Sequence, residues 1–137
     1  MGTYSQSINQ CNSIGMFLIM PSRKQESEEI ADILKMKLVS SNDAWFSKTT
    51  SGKTKYDFRY ADGSFVDMPQ EAWAEGYPAT RFNATSSECV DISCGYVSND
   101  GLFYDTKHCE KFAMTICQSR KGNNNIKIAF SISFKFN

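Results

Sequence analysis

The chain has little of what catalysis or membrane insertion requires. Of its 137 residues only one is a histidine, His108, and only three are prolines. No apolar run approaches the ~18 residues of a membrane-spanning helix. Residues 1–15, MGTYSQSINQCNSIG, have no basic stretch followed by an apolar core, which excludes a secretory signal there. No C-x-x-C pair, phosphate loop or nucleophile–base spacing is present. No block of like charge is long enough to act as a nucleic-acid arm. Fifteen basic and fifteen acidic residues cancel, so no overall field draws the chain to nucleic acid or to a membrane. The cancellation is uneven: residues 119–137 contain Arg120, Lys121, Lys127 and Lys135 and no acid.

What is present is apolar and aromatic. A hydrophobic content of 41% with 13% aromatics implies a packed core, and the length suits one domain. Five cysteines, at 11, 89, 94, 109 and 117, leave one over if the others pair. Four Cys/His zinc ligands can be assembled by count, but no pair has finger-like spacing, so disulfides are the expected use. The lack of a signal argues against disulfides only if residue 1 is the true start.

SRKQESEEIADILKMKLVSS reads as a helix. Ser22 with Gln25 suits a capping box, and Glu26, Glu28 and Glu29 complement the positive end of the helix dipole. Ile30, Ile33, Leu34 and Leu38 recur at helical spacing. Upstream, TYSQSINQC reads as the end of another helix, and IGMFLIM as a buried strand or a loop plugging the core. AWFS is a short aromatic strand. Tyr56, Phe58 and Tyr60 alternate with polar residues, and Asp62-Gly63 supplies the hairpin turn. Residues 68–88 form a long irregular loop, and loops of more than ~12–15 residues usually carry function. CVDI, GLFYD and FAMTICQ read as strands. After the polar RKGNNN, Ile126, Ile128, Phe130, Ile132, Phe134 and Phe136 alternate strictly on one side.

In order along residues 8–120, QCNSIGMFLIMPSRKQESEEI, AWFS, FRYADGS, the Trp73–Pro78 corner, ECVDI, and Asp105, Cys109 and Ile116-Cys117 together resemble the C-type lectin-like domain. That resemblance implies an α+β fold over residues 1–120: two helices, small antiparallel sheets and a long loop, stapled by Cys11–Cys117 and Cys89–Cys109. It also implies a cis peptide at Pro78. Cys94 is then the spare thiol, either a buried small hydrophobe or the bridge of a disulfide-linked dimer. Its only imidazole partner for catalysis would be His108.

The resemblance implies non-enzymatic, extracellular recognition of a glycan or protein. Sugar-binding members flank the corner proline with carboxylates or amides that hold Ca²⁺, which takes about six to eight oxygens. Here the corner is Tyr77-Pro78-Ala79, and in place of Trp-Asn-Asp stands Phe103-Tyr104-Asp105. Only Glu88 and Asp105 remain as weak metal candidates, so no cofactor is expected and the usual calcium site is judged lost. The expected ligand-binding residues are Tyr77, Arg81, Glu88, Tyr104 and Asp105, with Phe82, Tyr96 and Phe103 near them. Of these aromatics Phe103 is the first choice for the core, and Trp73 is expected to anchor the loop. Asn83-Ala84-Thr85 is an N-glycosylation sequon.

Both ends depart from the family. Its first strand is missing, and residues 121–137 are extra. The preferred reading is a reading frame cut at its 5′ end and running into AT-rich sequence at its 3′ end. The other reading is that the tail folds back and pairs with FAMTICQ as an additional strand.

Overall fold

The computed structural model describes residues 1–36, 41–49, 58–66, 68, 70–78, 82–83, 88–89, 93–119 and 128–130, with residues 82–83, 88–89 and 128–130 described by backbone alone. Two helices, α1 (Tyr4–Ser13) and α2 (Lys24–Leu34), flank a four-stranded antiparallel sheet and two smaller ones.

The first helix is fully capped. Thr3 accepts from the Gln6 amide at 3.2 Å, and the Gln6 side chain accepts from the Thr3 amide at 3.0 Å. Just before it, Gly2 exchanges two backbone hydrogen bonds of 3.0 Å with Ala113. TYSQSINQC is therefore the body of a helix with its own start. Three contacts hold α1 down. Ser7 shares a buried 2.7 Å hydrogen bond with Thr115, the Trp45 indole donates to the Gly2 carbonyl at 3.1 Å, and Cys11 is bonded to Cys117.

The second helix starts one residue later than its sequence signals. Its N-cap is Arg23, which makes no side-chain cap, and not Ser22. Glu26, in the first turn, instead ties down the chain ahead of the helix: it accepts from the Ser22 amide at 2.9 Å and pairs with Arg23 at 3.1 Å. A carboxylate in the first turn is favoured there by the unsatisfied amides and the dipole. Ile30, Ala31 and Leu34 are buried on its inner face.

Strand β1 (Phe17–Leu18) begins the apolar run whose Leu18, Ile19 and Met20 are buried. Strands β2 (Asp43–Thr49), β3 (Phe58–Arg59), β6 (Cys94–Ser98) and β7 (Phe103–Thr106) form the main sheet in the order β3-β2-β6-β7. The turn at Asp62-Gly63 is formed as expected, with Gly63 at φ 88° and Asp62 accepting from the Ser64 amide at 2.9 Å. Trp45 faces α1 with Tyr4, Leu18 and the two bridges; Phe46 faces α2 and the long loop with Val97, Phe103 and Met114. The sheet thus divides two cores, as alternation along a strand requires.

A register shift between Trp45 and Ser47 opens a bulge in β2. It is set against Gly95, where a Cβ would lie 2.1 Å from Ser47 Oγ and 3.1 Å from the Phe46 ring. Only glycine lets the bulge close on β6.

Strands β4 (Phe82–Asn83) and β5 (Glu88–Cys89) pair across the long loop. Strand β8 (Ile116–Gln118) lies between β1 and β9 (Ile128–Phe130), with Cys117 opposite Ala129. The tail thus supplies a strand to the end-sheet. Tyr56, Leu38 and the remaining tail residues of the alternating set lie outside the described residues.

One disulfide differs from the expectation. Cys109 is bonded to Cys94 and not to Cys89. Cys94 is on the central strand, opposite Thr106 of β7, only a short turn from Cys109; Cys89 is on the separate β4–β5 pair. Cys94 is also fully buried, so it is neither a spare thiol nor the bridge of a dimer.

Candidate functional site

The long loop is fixed to the sheet at its base. Trp73 bridges Phe103 along the edge of β7, and the Ala74 amide donates to the Phe103 carbonyl at 2.9 Å. The Trp73 ring packs on Phe46, Phe58 and Phe103 at centroid distances of 6.3, 5.0 and 5.6 Å. Each such aromatic pair adds roughly 0.5–1.5 kcal/mol beyond area burial. Trp73 is thus the loop's anchor, and Phe103, with no exposed surface, belongs to the core.

From that base the chain turns through Gly76, at φ 81°, into a cis Tyr77–Pro78 peptide. Gln70 Nε2 donates to the Tyr77 carbonyl at 2.8 Å. The Tyr77 ring then meets Tyr104 edge-on, centroids 4.9 Å apart.

Tyr104 continues an aromatic row that runs across the sheet. Trp45, Tyr96 and Tyr104 are register partners on β2, β6 and β7, so their side chains share one face. Tyr4 meets Trp45 at 6.3 Å, Trp45 meets Tyr96 at 6.0 Å, and Tyr96 stacks on Tyr104 at 5.4 Å with 11° between planes. Trp45 is buried beneath α1, whereas Tyr96, Tyr104 and Tyr77 are half-buried.

The Tyr104 hydroxyl donates to the Asp100 carboxylate, whose other oxygen accepts from the Leu102 amide at 2.9 Å. This hydrogen bond first, and then partial burial, pushes the Tyr104 phenol up to about 12. Burial first, and then the Asp43 carboxylate, pushes Tyr96 up to about 12. Both rings therefore remain neutral hydroxyls throughout the physiological range.

Asp105 is elsewhere. It pairs with Gly95, one residue out of phase with Tyr104, and so points to the opposite face of β7. It is 4% exposed and accepts from Ser93 Oγ at 2.9 Å; Ser93 in turn exchanges hydrogen bonds with Thr49. The structure therefore brings Tyr77 and Tyr104 together and separates Asp105 from them. Glu88 is placed by its backbone on β5, opposite Asn83 on β4. Arg81 lies outside the described residues.

Two participants escaped sequence reading. Strand β6 is not legible in the sequence, because Cys94, Gly95, Tyr96 and Val97 are consecutive small or apolar residues with no polar–apolar alternation. Asp100 carries a signal of its own, since Asp100-Gly101 is the same turn pair as Asp62-Gly63; Gly101, at φ 79°, closes the β6–β7 hairpin.

A family model described as Lectin C-type domain matches residues 2–119. The chain belongs to the C-type lectin domain family. No curated protein matches the chain. The two helices, small antiparallel sheets and two disulfides are those of a C-type lectin-like α+β fold.

Family members often bind calcium, the sugar-binding ones at the proline corner, and the residues at this corner fit the ion poorly. Tyr77 offers a phenol packed on Tyr104 and a carbonyl already accepting from Gln70. Ala79 brings no side-chain oxygen. Asp105 is engaged on the far face of β7. Among the described residues no group of three or more His, Cys, Asp or Glu gathers in one place. A hard cation needing about six to eight oxygens finds no such set around the corner's described residues.

Proposed function

We propose that this C-type lectin domain is a non-enzymatic, extracellular recognition module whose ligand, a glycan or a protein, rests on the tyrosines beside the cis-proline corner. No calcium ion at that corner takes part. The observation that carries this reading is the Tyr77–Tyr104 contact at 4.9 Å, which fills the corner with rings in place of carboxylate or amide oxygens. Half-buried tyrosines combine a flat apolar face with a hydroxyl, the combination used both to stack on sugar rings and to anchor protein partners. An extracellular setting suits a fold closed by two disulfides. No helix among the described residues is long and apolar enough to cross a membrane.

Arg81 and Glu88 remain proposed contributors to ligand binding, and Asn83 a proposed glycan acceptor on β4. Glycan and protein arrays with and without chelator, alongside calorimetric titration with Ca²⁺, test the reading. Binding that is unchanged by chelator and lost in Tyr77→Ala or Tyr104→Ala is the expected result. Binding that vanishes with chelator would instead identify a calcium-dependent lectin with irregular ligands. Retention of all binding in both tyrosine variants would leave this face without a role.

A further inference from the structure

The tyrosine face is bordered by acid. Asp43, half-buried on β2, lies opposite Ser98, where β6 enters its turn; Asp100 lies in that turn and holds the Tyr104 hydroxyl. Neither Asp43 nor Asp100 enters an ion pair with another described residue. Both carboxylates act on the same rings: Asp43 on Tyr96 and Tyr104, and Asp100 on Tyr104, each disfavouring the phenolate. The sheet's aromatic row is covered by α1 at Trp45 and comes into the open at Tyr104 and Tyr77.

Ring faces with negative potential next to carboxylates attract a cation twice over, through the ring quadrupole and through direct charge. A guanidinium suits this best, because its plane stacks on a phenol while its edge donates to a carboxylate. A neutral sugar could stack on the rings and donate hydroxyls to the carboxylates, but it would not neutralise their charge.

We infer that the outward face formed by Tyr77, Tyr96 and Tyr104, with Asp43 and Asp100 at its border, docks an arginine- or lysine-bearing segment of a partner protein. This deepens the proposed function and rests on it, naming charge as the property that selects among ligands of the same face. Asp100 plays two parts: it fixes the Tyr104 ring and offers its charge to the incoming cation.

The probe is a hexa-arginine peptide, with hexa-serine as the neutral control, followed by tyrosine ring resonances and by titration calorimetry on the whole chain. Saturable shifts at Tyr77, Tyr96 and Tyr104 are expected with hexa-arginine alone, weakening as salt is raised. Asp43→Asn and Asp100→Asn should each lower affinity about two- to five-fold, the range for an exposed cation–ring contact and its partner charge. Both are near-isosteric changes, and unchanged amide spectra with an unmoved Tyr104 ring in the free domain would show that fold and face are intact. Equal shifts with hexa-serine, or undiminished hexa-arginine binding in the double Asn variant, would overturn the inference. If hexa-arginine fails to bind while a neutral glycan is lost in Tyr104→Ala, the charge selection falls and the tyrosine face survives. If nothing that binds the domain responds to Tyr77→Ala or Tyr104→Ala, both fall together.

Discussion

Tyr104 is held from two sides. Its ring lies on Tyr96 and its hydroxyl on Asp100, so its orientation is set by the sheet and by the adjoining turn at once. The consequence shows at alkaline pH. Tyr4, Tyr96 and Tyr104 are all raised from 10.0 to about 12, Tyr4 and Tyr96 chiefly by burial and Tyr104 chiefly by its hydrogen bond. A raised folded-state value means the folded chain favours the protonated phenol. That stabilisation is complete below pH 10 and is lost as pH climbs through about 12. Phenolate absorbance should therefore show Tyr4, Tyr96 and Tyr104 among the late-ionising tyrosines, together with loss of near-UV dichroism. Tyr104→Phe should lower the late phenolate amplitude by one tyrosine; an undiminished late amplitude in that variant would contradict the assignment.

At the scale of elements, the central strand decides most of what the sequence left open. Cys94 was legible as a cysteine but not as part of a strand, because β6 is apolar on both faces and breaks the two-residue rhythm that marks half-buried strands. Once β6 pairs with β7, Cys94 stands opposite Thr106, with Cys109 three residues further on, and the bridge follows from proximity. The same pairing sends Asp105 inward to Ser93 and Tyr104 outward to Tyr96. Non-reducing peptide mapping should recover Cys11–Cys117 and Cys94–Cys109. Cys94→Ser should cost about 2–5 kcal/mol, the usual loss for a native bridge in a small domain, while Cys89→Ser leaves both bridges and most of the stability in place. A Cys89–Cys109 peptide in the native chain would refute the pairing.

At the scale of the whole molecule, the tail completes a sheet. Strand β9 pairs along β8, the strand that carries Cys117 and is buried throughout. Without it, β8 would present an unpaired backbone edge. Deleting residues 122–137 should lower the melting temperature and increase aggregation, read by calorimetry and light scattering; unchanged melting would mean that β9 contributes nothing to the fold. Local chemistry was enough to read the apolar stripe of α2, the Asp62-Gly63 turn and the anchoring of Trp73. Each of these depends on residue type and near-neighbour spacing. Which cysteine Cys109 would take, which face Asp105 and Tyr104 would each occupy, and that Asp100 would meet Tyr104 were decided only by strand register. Register is a long-range property, and a shift of one residue turns every side chain to the other face.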